Sequence, residues 1–409
     1  MKWIIVVAVM VRMAAQFMPG ASHLSGGDPS EYISLAHNIA KHHAFSFGQP
    51  HRWGEDPSIS APGPFLATAA RPPLYPAFIA LFWWGEQPPY WPVRIAQVLL
   101  GTGTVAFVFL IALRTFGRRI ATIAGWMLAL GPANCELTGH FMSETLYIFL
   151  ITASLWALAS DRRIAAGILL GLSALTRAPA FPFILIIGAI ALLSRQRRKK
   201  YGVAAVFAIL VVAPWLVRNV FATGRFVAIC AQGWGSNLYF ATIDVPYGSG
   251  NPWPLFTSDP ETVRIVKSTP DETAAERELA RAAWARISAH PFRWAVARVK
   301  TYPRFFLDSG AYLLGIFPDR RVMIAVKFAF LCGSFLFVLL AGWGIMLSYE
   351  KSAIEPLVLF PAYIALAQFP MLEDPRYFAP LAPCLAVFAA VGLVSFIGLV
   401  RAFMPAVQR

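Results

Sequence analysis

Asp28 and Glu31 sit three residues apart in the stretch SGGDPSEY, where the first apolar run of this chain gives way to polar residues. Arg71 opens RPPLYPAFIALFWW, and GHFMSETLY carries His140 and Glu144. Arg177 lies in LTRAP, Arg218 and Asn219 in APWLVRN, and Glu373, Asp374, Arg376 and Tyr377 in EDPRYFAP. A carboxylate can take or orient a proton. A planar guanidinium matches phosphate oxygens bidentately and can stabilise the charge that develops on them. Carboxylate and imidazole together suit several divalent metals, which makes Asp28, His140 and Glu144 candidate ligands, although no spacing among them is diagnostic. The chain therefore holds acid–base and anion-binding groups. Its helices must bring them together for any chemistry to follow.

Composition says what those helices are. Of 409 residues, 57% are hydrophobic and only 14% charged, and the mean hydropathy is +0.58. Soluble domains carry about a quarter charged residues, so this chain buries apolar surface in lipid. Apolar runs of the length that crosses a bilayer recur along it, which predicts an all-α polytopic membrane protein. The net charge of +14 does not point to nucleic acid, because many of the 35 basic residues mark short gaps between apolar runs. Cys135, Cys230, Cys332 and Cys384 are scattered without CxxC spacing, so neither a zinc site nor a disulfide framework is indicated.

Basic clusters set the orientation. RTFGRR, DRR, RQRRKK, YEK and the tail from Arg401 face the cytoplasm under the positive-inside rule. Spans at 93–113, 120–138, 142–160, 163–178, 180–194, 201–220, 321–348, 353–371 and 377–400 then alternate consistently. The N-terminal MKWIIVVAVMVRMAAQF adds a short first span interrupted by Arg12, where a functional or a helix-packing role is open. The total is about ten crossings of the cytoplasmic (inner) membrane, with both termini inside. Residues 72–84 are too short to span and are expected to dip into the outer leaflet, within an outer loop running over 19–92. That loop holds five of the seven histidines, and those at 37, 42, 43 and 51 read as solvated interface residues. A second outer loop covers 221–320, with a helix expected to start at Thr269 as N-cap, Pro270 as first residue and Glu272 as capping-box partner. HPFRWAVARVK after it has the composition of a helix lying on a bilayer. With no internal repeat or low-complexity linker, residues 1–409 read as one membrane domain with two outer excursions.

In this topology the outer ends of several spans carry ionisable groups, which cost several kcal/mol near hydrocarbon unless paired or wet. Their recurrence predicts a common polar cavity facing the periplasm or exterior. Asp28-Pro29-Ser30-Glu31 also reads as a helix start, with Asp28 as N-cap, Pro29 first in the helix and Glu31 as capping-box partner, a structural role for Glu31. The helix that follows, PSEYISLAHNIAKHH, presents Tyr32, Leu35, Ala36 and Ile39 as an apolar stripe suited to the outer interface.

GGDPSEYISLAHNIAKHHAFSFG followed by RPPLYPAFIALF resembles the first outer loop of the GT-C glycosyltransferases related to protein O-mannosyltransferases and lipid A aminoarabinose transferases. SETLYIFL, GLSALTRAP, APWLVRN, NLYFAT and EDPRYFAPLAPCL continue the order over residues 26–395. The resemblance implies a GT-C fold and a sugar donor carried on a polyprenyl phosphate. The acceptor would be a hydroxyl on a glycan, lipid or protein, with Asp28 at the position of the acidic residue that acts on it. Arg71, with Arg376 second, then becomes the candidate phosphate clamp, and Glu144, Arg177, Arg218, Asn219 and Tyr377 candidate contacts to donor or acceptor. Direct displacement would invert the anomeric centre. Two departures bear on cofactor and acceptor. Ala70-Arg71-Pro72 stands where aminoarabinose-type members have Glu-Lys-Pro, and Pro29 where protein mannosyltransferases continue an Asp-Glu pair. The residues alone leave open a transporter or lipid flippase without transferase chemistry, although the matched Gly/Pro-broken halves of such folds are absent.

Overall fold

The computed structural model describes residues 1–17, 27–48, 65–243, 253–269, 271–307, 319–371 and 375–403; Glu373, Asp374 and His51 lie outside them. Among the described residues the chain is helical, without strands. Helices α1 (Lys2–Ala15), α2 (Asp28–His42) and α3 (Leu74–Ala80) are followed by the long α4 (Tyr90–Phe116), then α5 (Arg118–Ala129) and α6 (Pro132–Glu136). An antiparallel series continues with α7 (Glu144–Ala159), α8 (Arg163–Thr176), α9 (Ala180–Leu193) and α10 (Arg195–Thr223). The stretch between α10 and the next long apolar helix supplies α11 (Gly235–Phe240), α12 (Trp253–Ser258), α13 (Pro260–Ser268), α14 (Glu272–Ala289), α15 (Pro291–Thr301) and α16 (Pro303–Phe306). The chain closes with α17 (Arg320–Met346), α18 (Glu355–Gln368) and α19 (Ala382–Phe403).

The segments Tyr90–Phe116, Arg195–Thr223, Arg320–Met346 and Arg376–Ala402 are long and apolar enough to cross a membrane. The expected spans at 142–160, 163–178, 180–194 and 353–371 are the shorter apolar helices α7, α8, α9 and α18. Residues 72–84 contain only the two turns of α3. The expected span at 120–138 is different: it breaks at Gly131-Pro132 into α5, α6 and a 3₁₀ turn over Leu137–Gly139.

Arg12 explains how α5 can end inside the bundle. The last carbonyls of a helix lack intrahelical donors, and in hydrocarbon that deficit must be met by protein. Arg12, 1% exposed, sends Nη1 to the Ala129 carbonyl (3.2 Å) and Nη2 to that of Leu128 (3.3 Å). Its role is therefore helix packing, not catalysis. The arginine needs Gly101 on α4, where a Cβ would come within 2.8 Å of its Nε and 2.9 Å of Thr138 Cγ2. Small residues make the other close crossings, as membrane helices require when no hydrophobic force drives them together. A Cβ on Gly167 of α8 would stand 2.4 Å from the Ala204 carbonyl of α10, and one on Gly344 of α17 1.9 Å from the Phe388 carbonyl of α19.

Outside the bundle a small second core gathers Leu238, Tyr239 and Phe240 of α11, Phe256, Ile265 and, from α14, Ala275, Leu279 and Ala283. The α14 start differs from the expected one: Asp271, not Thr269, is the cap, its Oδ1 accepting from the Ala274 N–H at 2.8 Å. Thr269 instead ends α13, and the carboxylate is at least as good an acceptor at that position.

If Arg12 and Gly101 share one contact, Arg12→Leu and Gly101→Ala each lower the unfolding midpoint of the detergent-solubilised protein by several degrees, about 1–3 kcal/mol each. Gly101→Ala costs less in the Arg12→Leu background. Additive losses in this double-mutant cycle would show that the two do not act on one contact.

Candidate active site

Gly27, in the positive-φ region at 66°, lets the chain turn into α2, and the Ser30 hydroxyl ties the turn by donating to the Gly27 carbonyl (2.8 Å). Gly27 is thus the cap residue, and Asp28 is the first helical residue instead of the expected N-cap, with Pro29 second. Both side chains that a capping box would use are engaged by an arginine. Arg71 Nη2 donates to Asp28 Oδ1 at 2.6 Å, and its Nε donates to Glu31 Oε2. Arg71 Nη1 carries neither of these bonds. Nor is α2 a surface helix: Tyr32, Ile33, Leu35, Ala36, Ser34 and Asn38 are all buried, packed with α3 and the chain leading to it.

Two further guanidiniums enter from distant segments. Arg376 Nη1 lies 3.4 Å from Asp28 Oδ2, and its Nη2 donates to the Tyr377 hydroxyl at 3.2 Å. Arg177, in extended backbone just past α8, reaches Glu144 Oε1 at 2.7 Å and donates to the Ser143 hydroxyl at 3.0 Å. Tyr377 receives both cations on its ring, Arg376 at 5.1 Å and Arg177 at 5.9 Å from the centroid. Tyr32 joins the halves: Arg71 stands 5.5 Å over its ring, and its hydroxyl is 3.1 Å from Ser143 Oγ. Glu144 is 1% exposed and Glu31 6%, and each lies against an arginine, the pairing that burial of such a side chain calls for.

The segment before Arg71 is held on both sides. The N–H groups of Ala231 and Gln232 donate to the carbonyls of Ala69 (2.7 Å) and Ala70 (3.3 Å). Arg218 donates to the Thr68 and Phe45 carbonyls, with its guanidinium 4.7 Å over the Trp215 ring. Asn219, fully buried, gives its Nδ2 to the carbonyls of Val227 (3.2 Å) and Ile229 (3.4 Å). The structure therefore sets Arg218 and Asn219 behind the charged cluster, where they fix the two strands of backbone that present Arg71. It brings Asp28, Glu31, Arg71, Glu144, Arg177, Arg376 and Tyr377 together.

Burial alone would raise the Asp28 carboxyl, but Arg71, Arg376 and Arg177 together hold it well below the usual carboxylate range. Asp28 is thus ionised and a weak base. The metal expectation fares differently. His140 Nε2 pairs with Glu136, Glu144 with Arg177 and Asp28 with Arg71, and among the described residues no group of three or more His, Cys, Asp or Glu is placed to hold an ion. The donor set expected from Asp28, His140 and Glu144 is not assembled, because arginines take the carboxylates.

Comparison with known proteins bears on the fold. The profile of the dolichyl-phosphate-mannose-protein mannosyltransferase family matches residues 70–217, the stretch from Arg71 through Glu144 and Arg177. The oligosaccharyltransferase of Archaeoglobus fulgidus, solved with Zn and sulfate, superposes with a TM-score of 0.55 at 15% identity over 97% of this chain. The chain has the GT-C fold. A second structure of that archaeal protein, AglB with an inhibitory peptide and a dolichol-phosphate, gives 0.55 at 14% identity over 99% of this chain. This GT-C chain spans about half the length of those structures, 49% and 51%. ArnT from Cupriavidus metallidurans, bound to undecaprenyl phosphate, matches at a TM-score of 0.42 and 14% identity, covering 96% of this chain and 76% of its own. No curated protein matches the sequence.

Sequence does not single out Tyr32 and Ser143 as site residues. The only signal is position: Tyr32 lies one helical turn after Asp28, and Ser143 directly precedes Glu144.

Because the Asp28 pKa is lowered on folding, its pairing stabilises the protein above the unfolded carboxyl value of about 3.9 and is lost as pH falls through the folded value. Arg71→Leu is expected to destabilise the protein by about 3 kcal/mol at neutral pH. Its unfolding midpoint should also fall less between about pH 5 and about pH 3 than that of the parent protein. Parallel midpoint–pH curves for the two proteins in detergent would show that Arg71 does not set the ionisation of Asp28.

Proposed function

We propose that this protein is a membrane glycosyltransferase that moves a sugar from a polyprenyl-phosphate donor to an acceptor hydroxyl at the outer face of the cytoplasmic membrane. The observation that carries the reading is the convergence of Asp28 with three guanidiniums, those of Arg71, Arg376 and Arg177, at the outer ends of apolar helices. A transporter or flippase has no need of an ionised carboxylate fixed against a phosphate-binding edge. The mannosyltransferase profile over 70–217 and the GT-C fold support the same reading.

In this scheme the donor enters sideways from the outer leaflet past α3, and its phosphate meets the Nη1 edge of Arg71, whose other nitrogens are held in place by Asp28 and Glu31. Arg376 is the second cation for the departing phosphate, where fixed charge acts on the transition state without reorganisation. Asp28 orients the acceptor hydroxyl and accepts its proton as the new glycosidic bond forms and the bond to phosphate breaks. Attack from the side opposite the phosphate inverts the anomeric centre. The transferred residue is a hexosyl or pentosyl unit, and the acceptor a glycan, lipid or protein. No step is assigned to a metal, since the candidate carboxylates Asp28 and Glu144 pair with Arg71 and Arg177, and His140 pairs with Glu136.

Radiolabelled dolichyl-phosphate-mannose, supplied to the full chain in detergent with membrane extract as acceptor, tests the class of reaction. Covalent transfer supports the scheme, whereas movement of the intact lipid across a reconstituted bilayer without transfer favours a flippase. Asp28→Asn should cut transfer by about 10²–10⁴-fold in protein that still folds and inserts, with an unfolding midpoint lowered by the loss of the Arg71 pair but above the assay temperature. Since the lowered pKa keeps Asp28 ionised, the rate should show no ionisation of this residue between about pH 5 and about pH 8. A limb in that window that vanishes in Asp28→Asn would contradict the assigned protonation state.

A further inference from the structure

Beside Arg71 runs a stretch of chain whose geometry the charge cluster does not explain. Residues 230–237, Cys-Ala-Gln-Gly-Trp-Gly-Ser-Asn, continue from the backbone pairing of Ala231 and Gln232 with Ala69 and Ala70 into α11. Trp234 at their centre is 48% exposed, yet its backbone is fixed on both sides. Gly233 adopts a φ of +102°, and a Cβ on Gly235 would come 1.9 Å from the Glu276 carbonyl oxygen, so neither glycine admits a side chain without rearrangement. Glu276, fully buried, accepts from the N–H groups of Gly235 (2.7 Å) and Ser236 (2.9 Å) and from the Ser236 hydroxyl (2.8 Å). Asn237 adds a bond from its Nδ2 to the Gly233 carbonyl.

A second observation points to a ligand. Gln232 Nε2 is buried and meets no acceptor among the described residues, although a buried amide donor left unpaired costs about 1–3 kcal/mol. The surroundings of Cys230 place this stretch against the charged cluster: burial pushes its thiol up to about 12, and it feels Arg71, Arg177 and Glu31 as well as Glu276. An unpaired amide donor and, two residues on, a half-exposed indole on fixed backbone, in a stretch paired with the residues just before Arg71, match one ligand chemistry. A sugar ring offers hydroxyl oxygens at its edge and a flat C–H face that packs on an aromatic surface.

We propose that residues 230–237 form a saccharide-binding wall of the site, with the Trp234 indole stacking on a sugar ring and Gln232 Nε2 donating to one of its hydroxyls. The inference rests on the glycosyltransferase reading and adds the contact that would select the sugar. Exposed Trp residues also anchor membrane proteins at the interface. Such an anchor needs neither a strained glycine, a buried carboxylate behind it, nor an amide beside it. Phe221 and Phe226, 85% and 72% exposed in the preceding chain, have the bare apolar character of lipid contacts.

The sugar can belong to the donor or to a glycan acceptor, and binding measurements on the full chain in nanodiscs separate them. The probes are dolichyl phosphate, dolichyl-phosphate-mannose, dolichyl-phosphate-glucose and free mannobiose. For a donor subsite, a sugar-bearing lipid binds more tightly than dolichyl phosphate, and Trp234→Ala and Gln232→Ala each weaken it by about tenfold while leaving dolichyl phosphate unchanged. Trp234→Tyr retains most of the preference. For an acceptor subsite, the same variants weaken mannobiose alone. The proposal is overturned if the parent protein binds sugar-bearing and bare lipid equally and ignores mannobiose. It is also overturned if the variants stay within about twofold for every probe, or if Trp234→Ala weakens bare dolichyl phosphate equally, as loss of a membrane anchor would. Dolichyl phosphate binding by the parent protein reports separately on the donor class, so failure of the wall and failure of the polyprenyl-phosphate reading are distinguishable.

Discussion

Taking a carboxylate out of water beside hydrocarbon costs several kcal/mol unless a cation and hydrogen bonds replace the lost hydration. Asp28, Glu31 and Glu144 are all in that position, and each has an arginine against it. Much of the structure around these residues follows from this constraint. Arg71 serves two carboxylates on one face of α2, so its backbone has to stand beside the first turn of that helix. The pairing of Ala69 and Ala70 with Ala231 and Gln232 puts it there. The segment leading to Arg71 and the one following α10, distant in sequence, are thereby brought against each other.

The same reasoning orders the residues behind the cluster. Arg218 on α10 holds the backbone at Thr68 and Phe45, while Asn219 beside it holds the loop at Val227 and Ile229. Adjacent on one helix, they clamp the two segments whose pairing presents Arg71. Polar side chains at the end of a membrane helix here organise irregular backbone, which protein must satisfy because lipid offers no partners. Arg12 does comparable work deeper in the bundle, where it closes the end of α5.

The membrane class, the approximate positions of the apolar helices and the polar character of several helix ends were legible in the sequence, since hydropathy and charge report directly on the medium around each segment. Asp28, Arg71, Glu144, Arg177 and Arg376 were legible because an ionisable residue at the end of an apolar run is costly unless it faces a partner or a wet cavity. What each charge faces was hidden, since pairing depends on tertiary geometry. Glu31 read as a capping partner because local spacing permits that bond, but a guanidinium forty residues away engages it. Arg218 and Asn219 read as ligand contacts because sequence shows their polarity and not the direction of approach. The break after α5 was hidden for a related reason: Gly131-Pro132 marked it, but a helix end within the bundle looks impossible until Arg12 is seen to satisfy its carbonyls.

Charge balance at the site bears on how such chemistry would proceed. Asp28, Glu31 and Glu144 stand opposite Arg71, Arg177 and Arg376, so with all six ionised the cluster is close to neutral before any ligand arrives. The guanidiniums that suppress the proton affinity of Asp28 make it a poor base, and a poor base gains little by pulling early on an acceptor hydroxyl. In the proposed reaction those guanidiniums would also face the charge that develops on the leaving phosphate, and their hold on Asp28 would weaken as the phosphate takes its share. As that happens the carboxylate becomes more basic, at the stage when the acceptor oxygen, now bonded to carbon, must lose its proton. Departure of the phosphate and acceptance of the proton would thus be coupled through the arginines. In the proposed reaction that coupling would run through guanidiniums shared between the carboxylate and the phosphate.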